Sequence, residues 1–272
     1  DWVEYFRKIP KNMLVLIHAE TVKLAQILLL ASKYKTRVHI CHVSRKDDII
    51  LIKEAKSNDI NVTCEVCPHH LFLSQEMIPE KNKSRWRVCP SLAKEEDRQA
   101  LWDNLDIIDC FSTDHAPHTI EEKNSASPPP GFPSLEFILP LLLDAVNRGK
   151  MTIEQIIDKM HNNPCKILGI SVSDNSYTDV DMDHEWTINY CKWSRSKWNP
   201  YIGRKVKGRV RRTVINGETV YVDGQIIGRP SKIFNKPNKM IRSDSSSSSD
   251  DNLIMELFSK TNTNLTSIKL DD

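Results

Sequence analysis

The sequence predicts an α/β fold built from parallel strand–helix units, and three observations carry that prediction. Short apolar runs alternate with helical patterns down to about residue 165. Three of those runs end in a side chain able to bind metal: His18, His42 or Asp114. Beyond residue 170 the pattern changes to short β-type runs broken by hairpin dipeptides. Four strand–helix units make half of an eightfold (β/α)8 barrel.

The opening run Trp2-Val3-Glu4-Tyr5-Phe6 has a helical pattern and no preceding methionine, so the chain reads as cut from something longer. Strands are expected at 13–18, 37–43, 61–67 and 107–113. Helices are expected at 21–32, 46–57, 94–105, 134–148 and 152–162. From Tyr177 the β-type runs include Val206-Lys207-Gly208-Arg209-Val210 and Val220-Tyr221-Val222. Asn216-Gly217 and Asp223-Gly224 mark the hairpin turns between them. Residues 171–228 therefore form a small β unit. Residues 229–272 read as a low-complexity linker, with a serine and acidic run at 243–251. Within it, Leu253-Ile254-Met255-Glu256-Leu257-Phe258 has the apolar content of a docking helix, and a partly helical linker is the preferred reading.

Composition narrows the function. The chain has 272 residues, 39% of them hydrophobic and 27% charged, so a packed core is expected. A net charge of +2 gives no ground for a nucleic acid or an anionic membrane as partner. No apolar run is long enough to span a bilayer. Seven cysteines lie scattered without a disulfide framework, which suits a reducing, cytoplasmic compartment.

The carboxyl ends of parallel strands share one face, and sites are built there. His18, His42 and Asp114 would converge on that face. Two imidazoles and a carboxylate form a ligand set for Zn²⁺ or a similar ion. A lone histidine at a strand end is usually a satisfied polar group, but three at equivalent positions argue for a site. Cys64 and Cys67 have C-x-x-C spacing without a second pair, which argues against a zinc ribbon.

The runs His18-Ala19-Glu20, Ile40-Cys41-His42-Val43, Cys64-Glu65-Val66-Cys67-Pro68-His69-His70 and Thr113-Asp114-His115-Ala116-Pro117-His118 resemble dihydroorotases of the amidohydrolase superfamily. The loop Pro128-Pro129-Pro130-Gly131-Phe132-Pro133 resembles the one after the last barrel strand in that family. The resemblance covers roughly residues 1–228 and is greatest to the dihydroorotase domains of animal-type multifunctional pyrimidine-synthesis proteins.

It implies that residues 1–170 are the second half of a (β/α)8 TIM-like amidohydrolase barrel. The implied reaction is reversible closure of N-carbamoyl-L-aspartate to L-dihydroorotate. A two-zinc centre is implied, with His18 and His42 on one ion and Asp114 on the other, where Asp114 also moves protons. His118 and the backbone at Pro130 would contact the substrate. Cys41 and Glu65 stand where a third zinc is held, although a buried inert cysteine is the competing reading. His115, His69 and His70 are expected to be structural. Implied partners are carbamoyl-phosphate synthetase and aspartate carbamoyltransferase domains of the same parent chain, and further copies in a homo-oligomer.

Two departures qualify this. The family's His-x-His pair and bridging lysine belong upstream of residue 1, so this chain alone is expected to be inactive. Cys89 stands where the family usually carries arginine or asparagine against the substrate, and a thiol offers a carboxylate no charge. Cys89 therefore supports a rival reading, a non-catalytic dihydroorotase-like scaffold. A dihydropyrimidinase is disfavoured by the proline-rich loop and the polar linker.

Overall fold

The computed structural model describes residues 2–172, 174–228 and the backbone of 266–269. After helix α1 (Trp2–Lys8), strand–helix units follow in order. They are β1 (Leu14–His18) with α2 (Thr21–Tyr34), then β2 (Arg37–Ile40) with α3 (Lys46–Ser57). Next come β3 (Val62–Val66) with α4 (Pro68–Phe72) and α5 (Glu95–Asp103), then β4 (Cys110–Phe111) with α6 (Ile120–Lys123). Helix α7 (Ile138–Asn147) leads to α8 (Ile153–Ile157), a π turn at Asp158–Asn162, and α9 (Asn163–Leu168).

All strand pairs of this sheet are parallel, in the order β4-β3-β2-β1. Its strands bury Ile17, Ile40, Cys64 and Val66 completely. The covering helices bury Leu24, Ile49, Ile52, Leu101 and Leu141 against them. β1 reads as an apolar run, whereas β2 and β3 alternate apolar with polar residues.

Local signals start and stop the helices. Thr119 with Glu122 and Thr152 with Gln155 form capping boxes at α6 and α8, each satisfying two end N–H groups. Gly169 ends α9 in the left-handed region at φ 65°. Below β4, the buried Lys159 ammonium donates to the carbonyls of Leu105 at 2.7 Å and Ile108 at 2.5 Å. Lys56 pairs with Asp109 at 2.6 Å, and Asp109 also accepts the Cys64 backbone N–H.

The second unit is an antiparallel sheet: β5 (Tyr177–Thr187), β6 (Lys205–Ile215), β7 (Glu218–Val222) and β8 (Gln225–Ile226). The Asn216-Gly217 and Asp223-Gly224 dipeptides turn the hairpins, all four residues at positive φ. The sheet docks on α7 through Gly208, where an added Cβ would sit 2.6 Å from that of Leu143. Beside it, Asn147 donates to the carbonyls of Met182 and Lys207, and buried Asp144 accepts the Lys207 N–H.

Of residues 229–272, expected as a linker, the structure describes only β9 (Thr266–Lys269), which pairs in parallel with β1. The backbone groups along β1 account for that pairing, and the β-branched Thr266 and Ile268 suit a strand. The serine and acidic run and the Leu253–Phe258 segment lie outside the described residues.

A candidate metal centre at the strand carboxyl ends

His18 is the last residue of β1, and His42 lies two residues past β2. Their rings meet with His18 Nδ1 and His42 Nε2 only 2.5 Å apart. Without a cation one ring must donate a proton to the other. Either ring nitrogen is also of the kind that would bind a zinc ion. The other ring nitrogen of His42, Nδ1, is buried with no hydrogen-bond partner among the described residues.

The pleat argues that Cys41 and His42 should point apart. The structure resolves this, because β2 ends at Ile40 and His42 takes a left-handed φ of 38°. Asp114 shares that geometry, with φ 40° three residues past β4. Non-glycine residues held in this region are costly and cluster at sites.

Cys41 is buried beside the Glu65 and Asp114 carboxylates. Burial first, then the charge on Glu65, pushes its thiol up to about 12. Cys67 is pushed up by burial and by Glu65, while a hydrogen bond with Ser112 opposes the shift. Burial raises the Glu65 carboxyl, but hydrogen bonds from His39 (3.3 Å) and Ser112 outweigh it and hold it below its ordinary value. Cys41, Glu65, Cys67, Ser112 and Asp114 are thus electrostatic neighbours, but among the described residues the metal-competent donors that converge are those of Cys67, His69 and His70, not His18, His42 and Asp114. Zinc binds the thiolate, so burial that holds these thiols neutral favours the reading of buried inert cysteines.

Cys67, His69 and His70 converge with donor atoms all within 4.8 Å of one another. Burial drives the His70 imidazole down to about 3, so it is neutral, and its Nε2 donates to the Pro90 carbonyl at 3.1 Å. That bond ties α4 to the loop bearing Cys89, whereas both ring nitrogens of His69 are buried with no hydrogen-bond partner among the described residues.

The rim is stitched from three loops. Ala116 N–H donates to Phe132 O, and Gly131 N–H donates to Arg87 O, each at 3.1 Å. His115 Nδ1 accepts from the backbone N–H groups of Ser134 and Leu135, both at 3.1 Å. Burial lowers its pKa, consistent with a neutral ring carrying its proton on Nε2. His118 is half-buried, with its backbone carbonyl held by the Trp198 indole N–H at 2.7 Å. Pro130 and Cys89 are both exposed on this rim.

Sequence reasoning missed the 189–199 segment. The Glu136 carboxylate accepts the N–H groups of Lys192, Trp193 and Ser194 at 2.8–2.9 Å and folds that segment over the rim. Its sequence signal was two tryptophans, Trp193 and Trp198, bracketing the polar run Ser194-Arg195-Ser196-Lys197.

The fold is an α/β one, a parallel strand–helix sheet beside a separate antiparallel sheet, and solved hydantoinases share it. A solved L-hydantoinase from Arthrobacter aurescens shares the fold at a TM-score of 0.77, with 24% identity, covering 84% of this chain and 61% of that one. The relatives by sequence are dihydroorotases and the multifunctional proteins that resemble them. The chain is 50% identical over 230 residues to the multifunctional protein CAD of Squalus acanthias and 45% identical to protein pyr1-3 of Dictyostelium discoideum. Each match covers 84% of this chain and 10% of the relative. The dihydroorotase of Pyrococcus furiosus is 39% identical, and the chain spans 54% of it. The inactive dihydroorotase-like domain of a Chaetomium thermophilum CAD-like protein is 32% identical at a TM-score of 0.70, covering 84% of this chain and 64% of that one. No protein-family model matches. The resemblance to dihydroorotases read from the sequence is borne out by these relatives. Among the described residues no helix is long and apolar enough to cross a membrane.

Proposed function

We propose that the protein containing this chain is a dihydroorotase, closing N-carbamoyl-L-aspartate to L-dihydroorotate and opening it again. The four parallel strand–helix units are the second half of its (β/α)8 barrel. The observation that carries this reading is the His18–His42 ring contact at the carboxyl ends of β1 and β2, where Cys41, Glu65 and Asp114 would complete the site. His18 and His42 hold one zinc, Asp114 holds a second, and Cys41 with Glu65 offers a place for a third. When bound, the zinc supplies Lewis-acid chemistry and lowers the pKa of a bound water to about 7.

The chain's own residues do the rest. Asp114 Oδ accepts a proton from the attacking water in the hydrolytic direction and returns one to the leaving nitrogen. Its left-handed φ of 40° ends the strand direction at this residue. His118 offers an N–H to a substrate carboxylate, and the Pro130 loop closes over the ring. Carbamoyl-phosphate synthetase and aspartate carbamoyltransferase domains in the same polypeptide, homo-oligomers and a cytoplasmic location complete the proposal, on the similarity to the multifunctional proteins.

One observation favours a second reading. Exposed Cys89 puts no charge on the rim, and the inactive dihydroorotase-like domain is among the similar structures. In that reading the domain is a scaffold. The complete protein, loaded with zinc and given N-carbamoyl-L-aspartate at mildly acidic pH, decides between them. Dihydroorotate formation above a no-enzyme blank is expected. Stoichiometric zinc with no turnover would establish the scaffold.

A further inference from the structure

Lys123, the last residue of α6, is fully buried. Its ammonium donates to three loop carbonyls: Arg87 at 2.7 Å, Pro129 at 2.8 Å and Gly131 at 3.1 Å. Three donors meet three acceptors, so the group is satisfied. Among the described residues no carboxylate pairs with it. The ammonium instead lies 5.6 Å from the Phe132 ring centroid and 5.7 Å from that of Trp198, within cation–π range. Burial, then the charge on Arg87, lowers its pKa to about 8. An ion kept in a place that disfavours its charge serves something the charge does there.

What it does there follows from its partners. Arg87 begins the segment that carries Cys89. Pro129 and Gly131 flank Pro130. Trp198 donates its indole N–H to the carbonyl of His118. All three rim positions expected to meet the substrate are thus tied to one ammonium, two through carbonyls and one through an indole.

We propose that Lys123 is the positioning residue of the substrate rim, fixing the Cys89, His118 and Pro130 loops relative to one another. This rests on the dihydroorotase reading for its kinetics and on geometry alone for its structure. Lys123 touches no substrate and takes no part in proton transfer. Without it, three carbonyls lose their common donor and the loops move independently, while the His18–His42 pair on β1 and β2 keeps its own supports.

The test uses the complete protein with Lys123→Met, which keeps length and apolar volume but removes charge and donors. Hydrogen exchange should quicken at least tenfold at the Gly131 and Ala116 amides, with β1–β3 unchanged. KM for N-carbamoyl-L-aspartate should rise at least tenfold, with kcat within about threefold and zinc content equal. Lys123→Arg, which keeps a charged donor, should recover part of the KM. Unchanged exchange, or a fall in kcat at constant KM, overturns the proposal. If the unmutated protein never turns over, the dihydroorotase reading fails, and the exchange measurement alone decides this one. If Lys123→Met does not fold, Trp198→Phe decides: it keeps a ring over the ammonium and removes only the N–H that His118 accepts. KM raised about threefold or more, or faster exchange confined to 114–118 in a protein without turnover, supports the proposal. Neither change overturns it.

Discussion

The Asp48 carboxylate accepts the Thr21 backbone N–H at 2.7 Å, so the helix that follows His42 holds the turn that follows His18. Thr21 needs holding, because it is β-branched and sits at φ 53°. A second tie runs alongside, from Arg45 Nε to Glu20 at 3.1 Å. Together they keep β1 and β2 in register at the end where the imidazoles meet.

Asp48 is buried, and burial raises its carboxyl from 3.8 to about 6, against the pull of the Thr21 N–H. A pKa raised on folding means that the native state binds the proton more tightly. The associated stability is present below about pH 4 and is lost as pH rises through about 6. At 1.36 kcal/mol per unit, the loss is about 1–3 kcal/mol. Asp48→Asn keeps the acceptor for Thr21 and removes the charge. Denaturant unfolding should find the variant more stable than the parent by about 1–3 kcal/mol at pH 7.5 and nearly equal at pH 4. A variant less stable at both pH values would show the charge to be favourable.

Gly131 has φ 133°, and a Cβ there would sit 2.5 Å from that of Ala116 and 2.7 Å from the Ala116 carbonyl oxygen. Gly131→Ala must push the proline-rich loop off the Asp114–His118 segment, at a cost of about 1–3 kcal/mol. The expected outcome is a lower melting temperature and a raised KM. Gly149→Ala is the control. It also has a positive φ, 68°, but nothing lies within 4 Å of its Cβ, so only the backbone strain of about 1 kcal/mol should appear. Equal losses in the two variants would show that the contact with Ala116 contributes nothing.

The parallel strands were legible as short apolar or alternating runs set between helical patterns. The meeting of His18 and His42 was legible because both lie at carboxyl ends of neighbouring parallel strands. Helix α4 was not, since Pro-His-His-Leu-Phe is too short to show a period. Cys41 beside His42 was open, because alternation along a strand separates neighbours until the strand ends, and only the backbone shows that it ends at Ile40. The Glu136 anchor was invisible, because a carboxylate that collects backbone N–H groups more than 50 residues away leaves no local pattern. Lys123 hid for the opposite reason: in the run Thr119-Ile120-Glu121-Glu122-Lys123 it looks like the basic end of an ordinary exposed helix.

Cys89 stands exposed on the rim between the Arg87 carbonyl that Lys123 holds and the Pro90 carbonyl that His70 holds. Its backbone is therefore fixed at both sides, and its side chain is free to change. Cys89→Arg should place a guanidinium where a substrate carboxylate docks, without disturbing the fold. A charge-assisted contact of this kind is worth about 1.5–3 kcal/mol, so KM should fall roughly tenfold to a hundredfold. Steady-state kinetics of the complete protein checks this. A fully inactive parent that gains turnover on Cys89→Arg would identify this thiol as the lesion of a scaffold domain.

Asp114→Asn is the sharpest test of the proposed chemistry. Asparagine matches aspartate in size and can still offer an oxygen to an ion, but it cannot accept and return a proton near neutral pH. General acid–base assistance is worth about 10²–10⁴-fold, so turnover in the complete protein should fall by at least that, with kcat carrying the loss. The strained φ of 40° should be tolerated, since asparagine visits the left-handed region readily, so the melting temperature should stay near that of the parent. His118→Ala should behave differently. Its backbone carbonyl remains on the Trp198 indole while the imidazole is lost, so KM should rise as well as kcat fall. Zinc content measured on both variants separates loss of chemistry from loss of metal. Asp114→Asn with normal zinc and most of its turnover would take the proton transfer away from Asp114.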